Sequence, residues 1–278
     1  MNTVKITPVV ENTTPTGIGM IGEHGLSFHI ENNNEEILFD TGQGLALKNN
    51  MKILGKDLSR INKTIISHGH YDHTGGLEDL AEKSKFMLYG HLDIFLPKFA
   101  SYDEVNFFNI GCPFSRDFLE KKGVNFNLDT KPVNIAENIT TTGEIPFSND
   151  FEKIEPYFYT ENNQGQKVKD KIPDDLGIII DTPSGIVLIL GCTHRGIINT
   201  IDHVSELTGS KKFHTIMGGL HLESADENKM AKIIKNLKKY EIKNLVTGHC
   251  TGRYAQVQLA SASSLNHQFI RLGKPYIF

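Results

Sequence analysis

The chain has 278 residues, 38% of them hydrophobic and 22% charged, which is enough to bury a substantial core without disulfides. Its 29 Lys and Arg residues against 33 Asp and Glu residues give a formal net charge of −4, so the composition does not indicate a nonspecific nucleic-acid binder that neutralises phosphates. The sequence has only three cysteines and no apolar run typical of a leader or a membrane span. We therefore expect a cytoplasmic protein with no membrane partner, and the sequence does not indicate its oligomeric state.

Hydrophobic periodicity in the first third of the chain predicts a hairpin followed by alternating strands and helices. Strands are predicted at 4–7, 26–30, 36–40, 63–67 and 85–89. Helices are predicted at 44–56 and 77–83. The polar turn at 32–34 predicts an antiparallel hairpin between the second and third strands.

The rest of the chain repeats the alternation after an irregular middle. Further strands are predicted at 177–181, 185–190, 213–217 and 243–246, and further helices at 116–121, 197–207, 226–240 and 255–272. Residues 97–175 are compatible either with an elaboration that covers a cleft or with ordinary hairpins. We predict a single domain over 1–278, with both sheet faces covered by helices and a cleft-covering elaboration at about 97–175.

The strongest functional signal is the segment His68-Gly69-His70-Tyr71-Asp72-His73, directly after a predicted buried strand. Neutral imidazoles and a carboxylate are ligands that zinc and iron accept. Because His68 and His70 are two residues apart, an extended chain would place both side chains on one face. The segment therefore predicts a divalent metal site.

This His-x-His-x-Asp-His pattern, together with Phe39-Asp40-Thr41-Gly42, resembles the metallo-β-lactamase superfamily. The resemblance implies an α/β fold, a four-layer αβ/βα sandwich of two mixed sheets with two divalent metal ions at one edge. It further implies that His68 and His70 bind the first ion and that Asp72 and His73 bind the second. Asp40 would orient a ligand histidine through a hydrogen bond. Zinc is the expected metal, with iron or manganese as alternatives.

The later motifs depart from the common pattern of that family. In Gly191-Cys192-Thr193-His194, Cys192 stands where many members carry an aspartate that bridges the two metals. A thiolate can ligate such metals, so Cys192 and His194 are both candidates for the replacement ligand. His249 matches the last metal histidine of the family.

Three motifs narrow the resemblance to a dihydropterin-synthase-like subgroup: Gly-Cys-Thr-His, Gly-Gly-Leu-His-Leu and Gly-His-Cys-Thr-Gly. The subgroup is named for an archaeal enzyme that joins a dihydropterin diphosphate to an aminobenzene ribofuranosyl phosphate in methanopterin synthesis. On this resemblance His221 would face the cleft in a catalytic or substrate-binding role, whereas Cys250 is predicted to be structural.

The remaining candidates carry weaker signals. Lys98 and Arg116 are candidates for holding an anionic substrate, although solvated surface charge is the more common role. His91 is a candidate for lining the cleft. The other histidines, among them His24, are predicted to be surface or packing residues.

The sequence predicts a metal-dependent hydrolase in which metal-activated water attacks a phosphoester, diphosphate or related bond of a small anionic substrate. Asp72 would orient or deprotonate the water, and His194 or His221 would stabilise charge on the leaving group. The alternative is a transferase that condenses a dihydropterin methyl diphosphate with a ribofuranosylaminobenzene phosphate.

Overall fold

Short strands and helices alternate along the chain in a computed structural model, which describes residues 3–278. The strands are β1 (Val4–Val10), β2 (Ser27–Asn32), β3 (Glu35–Phe39), β4 (Ile61–Ile65), β5 (Met87–Gly90), β6 (Lys98–Ala100), β7 (Phe108–Asn109), β8 (Asn125–Leu128), β9 (Asn134–Ala136), β10 (Ile139–Thr141), β11 (Phe158–Glu161), β12 (Lys167–Lys169), β13 (Gly177–Thr182), β14 (Gly185–Leu190), β15 (Lys212–Gly218), β16 (Glu241–Thr247), β17 (His267–Phe269) and β18 (Tyr276–Ile277). The helices are α1 (Leu47–Ile53), α2 (Tyr71–Thr74), α3 (Leu77–Ala81), α4 (Arg116–Lys121), α5 (Ile197–Thr208), α6 (Glu227–Leu237) and α7 (Arg253–Ser261), with 3₁₀ turns at Leu58–Arg60 and His249–Thr251.

Two seven-stranded mixed sheets form the frame. The first has the strand order β18-β1-β2-β3-β4-β5-β8 and the second has the order β17-β16-β15-β14-β13-β10-β9. In the first sheet, β3, β4, β5 and β8 run parallel, and in the second, β14, β15, β16 and β17 run parallel. The predicted hairpins β2–β3 and β13–β14 are both antiparallel, as expected.

The sheets face each other across one apolar core, and helices cover their outer faces. Phe28, Phe39 and Ile65 of the first sheet belong to the same buried cluster as Ile189 and Val246 of the second. Helices α1, α3 and α4 bury their apolar residues against the first sheet, and α5, α6 and α7 do so against the second. Each large side chain buried in this way contributes about 1.5–3 kcal/mol. This layering confirms the predicted αβ/βα sandwich.

Local sequence explains where the longest helices begin and end. The Asp226 carboxylate caps α6 by accepting from the Lys229 amide at 2.7 Å. The Glu152 side chain does the same for α5, accepting from the amides of Ile198 and Asn199 at 3.0 and 2.8 Å. Gly209, with a φ of 68°, terminates α5 in the left-handed conformation that glycine adopts without strain.

The structure corrects two predicted helices. The helix expected over 44–56 is confined to Leu47–Ile53. The helix expected over 255–272 ends at Ser261, and His267–Phe269 instead pairs in parallel with β16 as an edge strand. The intervening Ser and Asn residues favour turns over helix, and a short apolar run cannot by itself distinguish helix from strand.

Residues 97–175 contain α4 together with strands of all three sheets. Strands β12, β11, β6 and β7 form a separate four-stranded sheet in that order. This third sheet is tied to the metal motif, because the amide of Tyr71 donates to the carbonyl of Ile110 at 2.9 Å and His70 bridges to Gly111. Within residues 3–278, every helix is too short or too polar to cross a bilayer.

Candidate metal centre

The candidate residues gather where the parallel strands end. Asp40 follows β3 and His68 follows β4 in the first sheet, and in the second sheet Cys192, His221 and His249 come shortly after β14, β15 and β16. Because the carboxyl ends of parallel strands lie at the same edge of a sheet, these side chains reach one cleft. Five of the seven predicted metal ligands line a cavity of about 410 Å³, namely His70, Asp72, Cys192, His194 and His249. His221 lines the same cavity.

The first ligand set contains three histidines. The Nε2 atom of His68 lies 3.0 Å from Nδ1 of His70 and 3.2 Å from Nε2 of His194. The Sγ atom of Cys192 is within 4.8 Å of the ligand atoms of His68 and His194. These four residues were predicted from two motifs more than 100 positions apart, and the fold brings them together.

The second ligand set lies beside the first. The Nε2 atom of His73 is 3.2 Å from Sγ of Cys192 and 3.2 Å from Nε2 of His249. The Oδ2 atom of Asp72 is 3.3 Å from Nε2 of His249 and 3.5 Å from Nε2 of His73. Cys192 is therefore common to both sets.

Hydrogen bonds on the outer side of the rings fix the tautomers of His68 and His73. The Asp40 carboxylate accepts from the amide of Ser67 at 2.7 Å, from its hydroxyl at 2.8 Å and from Nδ1 of His73 at 2.7 Å. Since the Ser67 hydroxyl donates to Asp40, it accepts from Nδ1 of His68 at 2.9 Å. Both histidines consequently use Nδ1 as the donor and direct Nε2 to the centre, where it can bind a metal ion.

His249 is held in the same way from the opposite side. Its Nδ1 atom lies 2.9 Å from Oδ1 of Asn12, which also accepts from the amide of Gly25, and its own amide donates to Glu11 at 2.8 Å. The Nε2 atoms of His73 and His249 thus face each other at 3.2 Å. Although burial opposes it, the charges of Asp72 and Asp40 raise the pKa of His73 to about 9, so positive charge is favoured at this point. Such an arrangement suits a shared cation, so the donor set fits the divalent metals of this fold.

Unusual backbone conformations aim the side chains at these strand ends. Asp40, Thr193, His221 and His249 have φ angles of 58°, 61°, 45° and 50°. Residues other than glycine rarely adopt this left-handed region, and each costs about 1–3 kcal/mol. Gly191 is needed for a different reason, because a Cβ there would lie 2.1 Å from the Ser67 hydroxyl. The close approach brings the Cys192 loop against the His68 loop.

The protein environment keeps the first set neutral and Asp72 charged. Burial holds the pKa values of His68, His70 and His194 well below their usual range, so their rings are neutral. Burial works against the charge of Asp72, but His73 and the hydrogen bonds from His24 and His249 outweigh it and hold its pKa well below the usual range. Neutral imidazoles and an ionised carboxylate are the forms that bind metal ions.

Several residues at the site carry no clear signal in the sequence. His24, predicted to be a surface or packing residue, places Nε2 3.2 Å from Oδ2 of Asp72 and lines the cavity. Glu155 lies 3.6 Å from Nε2 of His221. Tyr102, Tyr157 and Phe158 contact one another and form an aromatic wall of the cavity.

Other candidates lie elsewhere or act differently. Lys98 cannot hold a substrate, because it is 2% exposed and ion-paired to Asp170 and Asp174. Arg116 pairs with Glu120 on the surface of α4. His91 is buried and is not among the residues that line the cavity. Cys250 does line it, and its Sγ accepts from the amide of His221 at 3.3 Å.

A family model described as the metallo-beta-lactamase superfamily matches residues 21–249. The chain belongs to the metallo-β-lactamase superfamily, which confirms the resemblance seen in its motifs. It is 30% identical to the 7,8-dihydropterin-6-methyl-4-(beta-D-ribofuranosyl)-aminobenzene-5'-phosphate synthase of Methanocaldococcus jannaschii, over 99% of this chain and 96% of that protein. It is 29% identical to an uncharacterized protein of the same organism, over 91% of this chain and 92% of the relative.

Solved structures share the fold over nearly the whole chain. A metal-dependent hydrolase of the β-lactamase superfamily superposes with a TM-score of 0.84 at 24% identity and 98% coverage of both chains. Zn²⁺-bound PqqB from Methylobacterium extorquens superposes with a TM-score of 0.61 at 13% identity, covering 98% of this chain and 99% of that one. At these identities the likeness establishes the fold alone.

Proposed function

We propose that this chain is a binuclear metal-dependent hydrolase that acts on a phosphoester, diphosphate or related bond of a small substrate. The observation that carries the proposal is the position of Cys192, whose Sγ lies within 4.8 Å of the ligand atoms of two adjacent sets. One set would hold the first ion through His68, His70 and His194. The other would hold the second ion through Asp72, His73 and His249, with Cys192 shared between them.

The donor chemistry favours zinc. Imidazole and thiolate are ligands that zinc binds well, and one carboxylate per pair of ions is compatible with its tetrahedral preference. Iron and manganese remain alternatives. Divalent ions held here would lower the pKa of bound water toward about 7 and would stabilise negative charge on a phosphoryl group.

Asp72 and His221 have the positions needed to handle protons. The Asp72 carboxylate lines the cavity within hydrogen-bonding distance of His24 and His249, so it can orient a water molecule and accept its proton. The ring of His221 also lines the cavity, with its centroid 4.1 Å from that of the His194 ring and the two planes tilted by 46°. From there it can donate to a leaving oxygen, with the Glu155 carboxylate beside its Nε2.

The cavity offers little positive charge of its own. Neither Lys nor Arg is among the described residues that line it, whereas Asp72 and Glu223 are. An anionic group would therefore bind where the two ions and the histidines can compensate its charge. This favours a phosphate or diphosphate at the floor of the cavity rather than at its rim.

A transferase is the second candidate, and two observations favour it. The Methanocaldococcus jannaschii relative, which matches almost the full chain, is named as a synthase of a dihydropterin–aminobenzene product. The aromatic wall of Tyr102, Tyr157 and Phe158 offers flat surfaces on which such rings could stack. In this reaction an aminobenzene nucleophile would replace water as the group that displaces the diphosphate.

Elemental analysis followed by two activity assays tests both candidates. We expect two ions per chain and turnover of a phosphodiester or diphosphate panel, lost together in the His70→Ala/Asp72→Ala variant. His214→Ala is the matched control, since His214 lies near the amino end of β15, away from the site. Product formed only when a dihydropterin diphosphate and a ribofuranosylaminobenzene phosphate are both supplied would favour the transferase. Full activity in the metal-stripped double variant would refute both.

A further inference from the structure

Residues 174–176, which we call the clasp, contact both histidine loops of the first ligand set. Oδ2 of Asp174 accepts from the amide of Gly69 at 2.7 Å, between His68 and His70. Oδ2 of Asp175 accepts from the amide of Arg195 at 2.8 Å, directly after His194. The amide of Leu176 donates to the carbonyl of Ser67 at 2.9 Å. Three consecutive residues therefore hold loops that follow strands of two different sheets.

The clasp is buried, and an ion pair anchors Asp174. Asp174 and Asp175 are 0% and 2% exposed. Oδ1 of Asp174 pairs with the buried Nζ of Lys98 at 2.7 Å, and the same Nζ lies 3.2 Å from Asp170. A buried, paired carboxylate has little freedom to move, so the Asp174 atom that accepts from Gly69 is fixed in space. Burial and the bond to the amide of Arg195 restrict Asp175.

The His68 loop cannot be held at this point by a side chain of its own. A Cβ on Gly69 would lie 2.2 Å from the carbonyl of Ile94 and 3.0 Å from Cε of Lys98. The backbone amide of Gly69 is therefore the group through which the loop is held, and it donates to Asp174. On the other loop, the Asp175 carboxylate similarly binds backbone rather than the histidine ring.

We propose that Asp175 is a positioning residue for the first ion, and that Asp174 fixes the opposite loop relative to it. Together they set the distance between the His68–His70 pair and His194. This inference rests on the two-ion centre proposed above. The second ligand set is held by other residues, since His73 depends on Asp40 and His249 on Asn12. A change in the clasp should consequently lower the affinity for the first ion and leave the affinity for the second unchanged.

Zinc titration against a chromophoric chelator tests the inference without substrate. In Asp175→Ala we expect the affinity for one ion to fall about 10–100-fold, the usual effect of losing a hydrogen-bonding partner behind a ligand. The affinity for the other ion should stay unchanged. Asp175→Asn keeps an oxygen that can accept from Arg195 and should restore both ions. Asp181→Ala is the matched control, because Asp181 is an exposed residue of the adjoining β13.

Combined variants identify which ion is weakened. Adding Asp175→Ala to His194→Ala should lower the affinity for either ion no further, since both changes act on the first ion. Adding it to His249→Ala should lower the affinity for both ions. If the alanine variant does not fold, Asp175→Leu keeps the volume without the acceptor. Equal weakening of both ions, or two ions bound at wild-type affinity, overturns the inference. A wild-type chain that binds two ions but hydrolyses no phosphate substrate would contradict the proposed reaction, whereas the clasp is decided by the ion affinities of the Asp175 variants alone.

Discussion

Asp40→Asn should reverse the tautomers of two histidines with one nearly isosteric change. The Oδ1 of the new side chain would still accept from the amide of Ser67, which cannot act as an acceptor. Its NH₂ group would then point at the Ser67 hydroxyl and at Nδ1 of His73, where Oδ2 of Asp40 now accepts. The hydroxyl would turn to donate to Nδ1 of His68, so both rings would carry their proton on Nε2 and face the centre with a donor.

The magnitude follows from the number of rings affected. Loss of the correct hydrogen-bonding partner behind a metal-binding histidine reduces metal affinity about 10–100-fold, or about 1.4–2.7 kcal/mol. Here one of the two affected rings belongs to each ligand set. The fold should survive, because the φ of 58° at position 40 suits Asn as well as Asp. Replacing charge-assisted hydrogen bonds by neutral ones should lower the free energy of unfolding by about 1–3 kcal/mol.

Metal titration and ¹⁵N NMR of the histidine rings measure the two effects separately. We expect both ions to weaken in Asp40→Asn, together with ring spectra in which His68 and His73 carry the proton on Nε2. Asp181→Asn, an exposed substitution on β13, should change neither. Two ions bound at wild-type affinity by Asp40→Asn would refute the assignment of these tautomers.

Three further outcomes are expected. Cys192→Ala should weaken both ions and abolish the sulfur-to-cobalt absorption of the cobalt-loaded protein, because its Sγ is common to the two ligand sets; weakening of one ion alone would contradict this sharing. Lys98→Met should lower the free energy of unfolding by about 3–5 kcal/mol, since it leaves the buried carboxylates of Asp170 and Asp174 without their counter-charge; a change within about 0.5 kcal/mol in urea unfolding, as for surface substitutions, would be inconsistent with it. Burial, with the charge of Asp174 added, raises the pKa of Asp175 from 3.8 to about 7. The folded chain then holds a proton that the unfolded chain has released, so stability falls as the pH rises from about 4 to about 7, by up to about 1.4 kcal/mol per pH unit. Asp175→Asn does not titrate and should gain stability relative to the wild type over that range, and parallel urea curves at each pH would disprove the shift.

Local pattern was sufficient to predict the frame of the fold. Strand alternation, the two hairpins and the helices at α4, α5 and α6 follow from short stretches of sequence, because each element buries one face and the period of its apolar residues reveals which. The tail after Ser261 was predicted wrongly as helix. Residues 267–269 of this tail pair in parallel with β16 instead. Such pairing depends on contacts with another part of the chain, which the local turn residues do not reveal.

The sequence by itself determined the candidate ligands, because the types and spacing of His68, His70, Asp72 and His73 carry metal chemistry within one short segment. Only the tertiary structure decided which other residues complete the ligand sets and which ones hydrogen-bond to the loops that carry the ligands. The contact between His73 and His249 joins residues 176 positions apart, and that between Gly69 and Asp174 joins residues 105 positions apart. Such contacts arise where the ends of strands from two sheets meet, and no periodicity along the chain records which strand ends become neighbours.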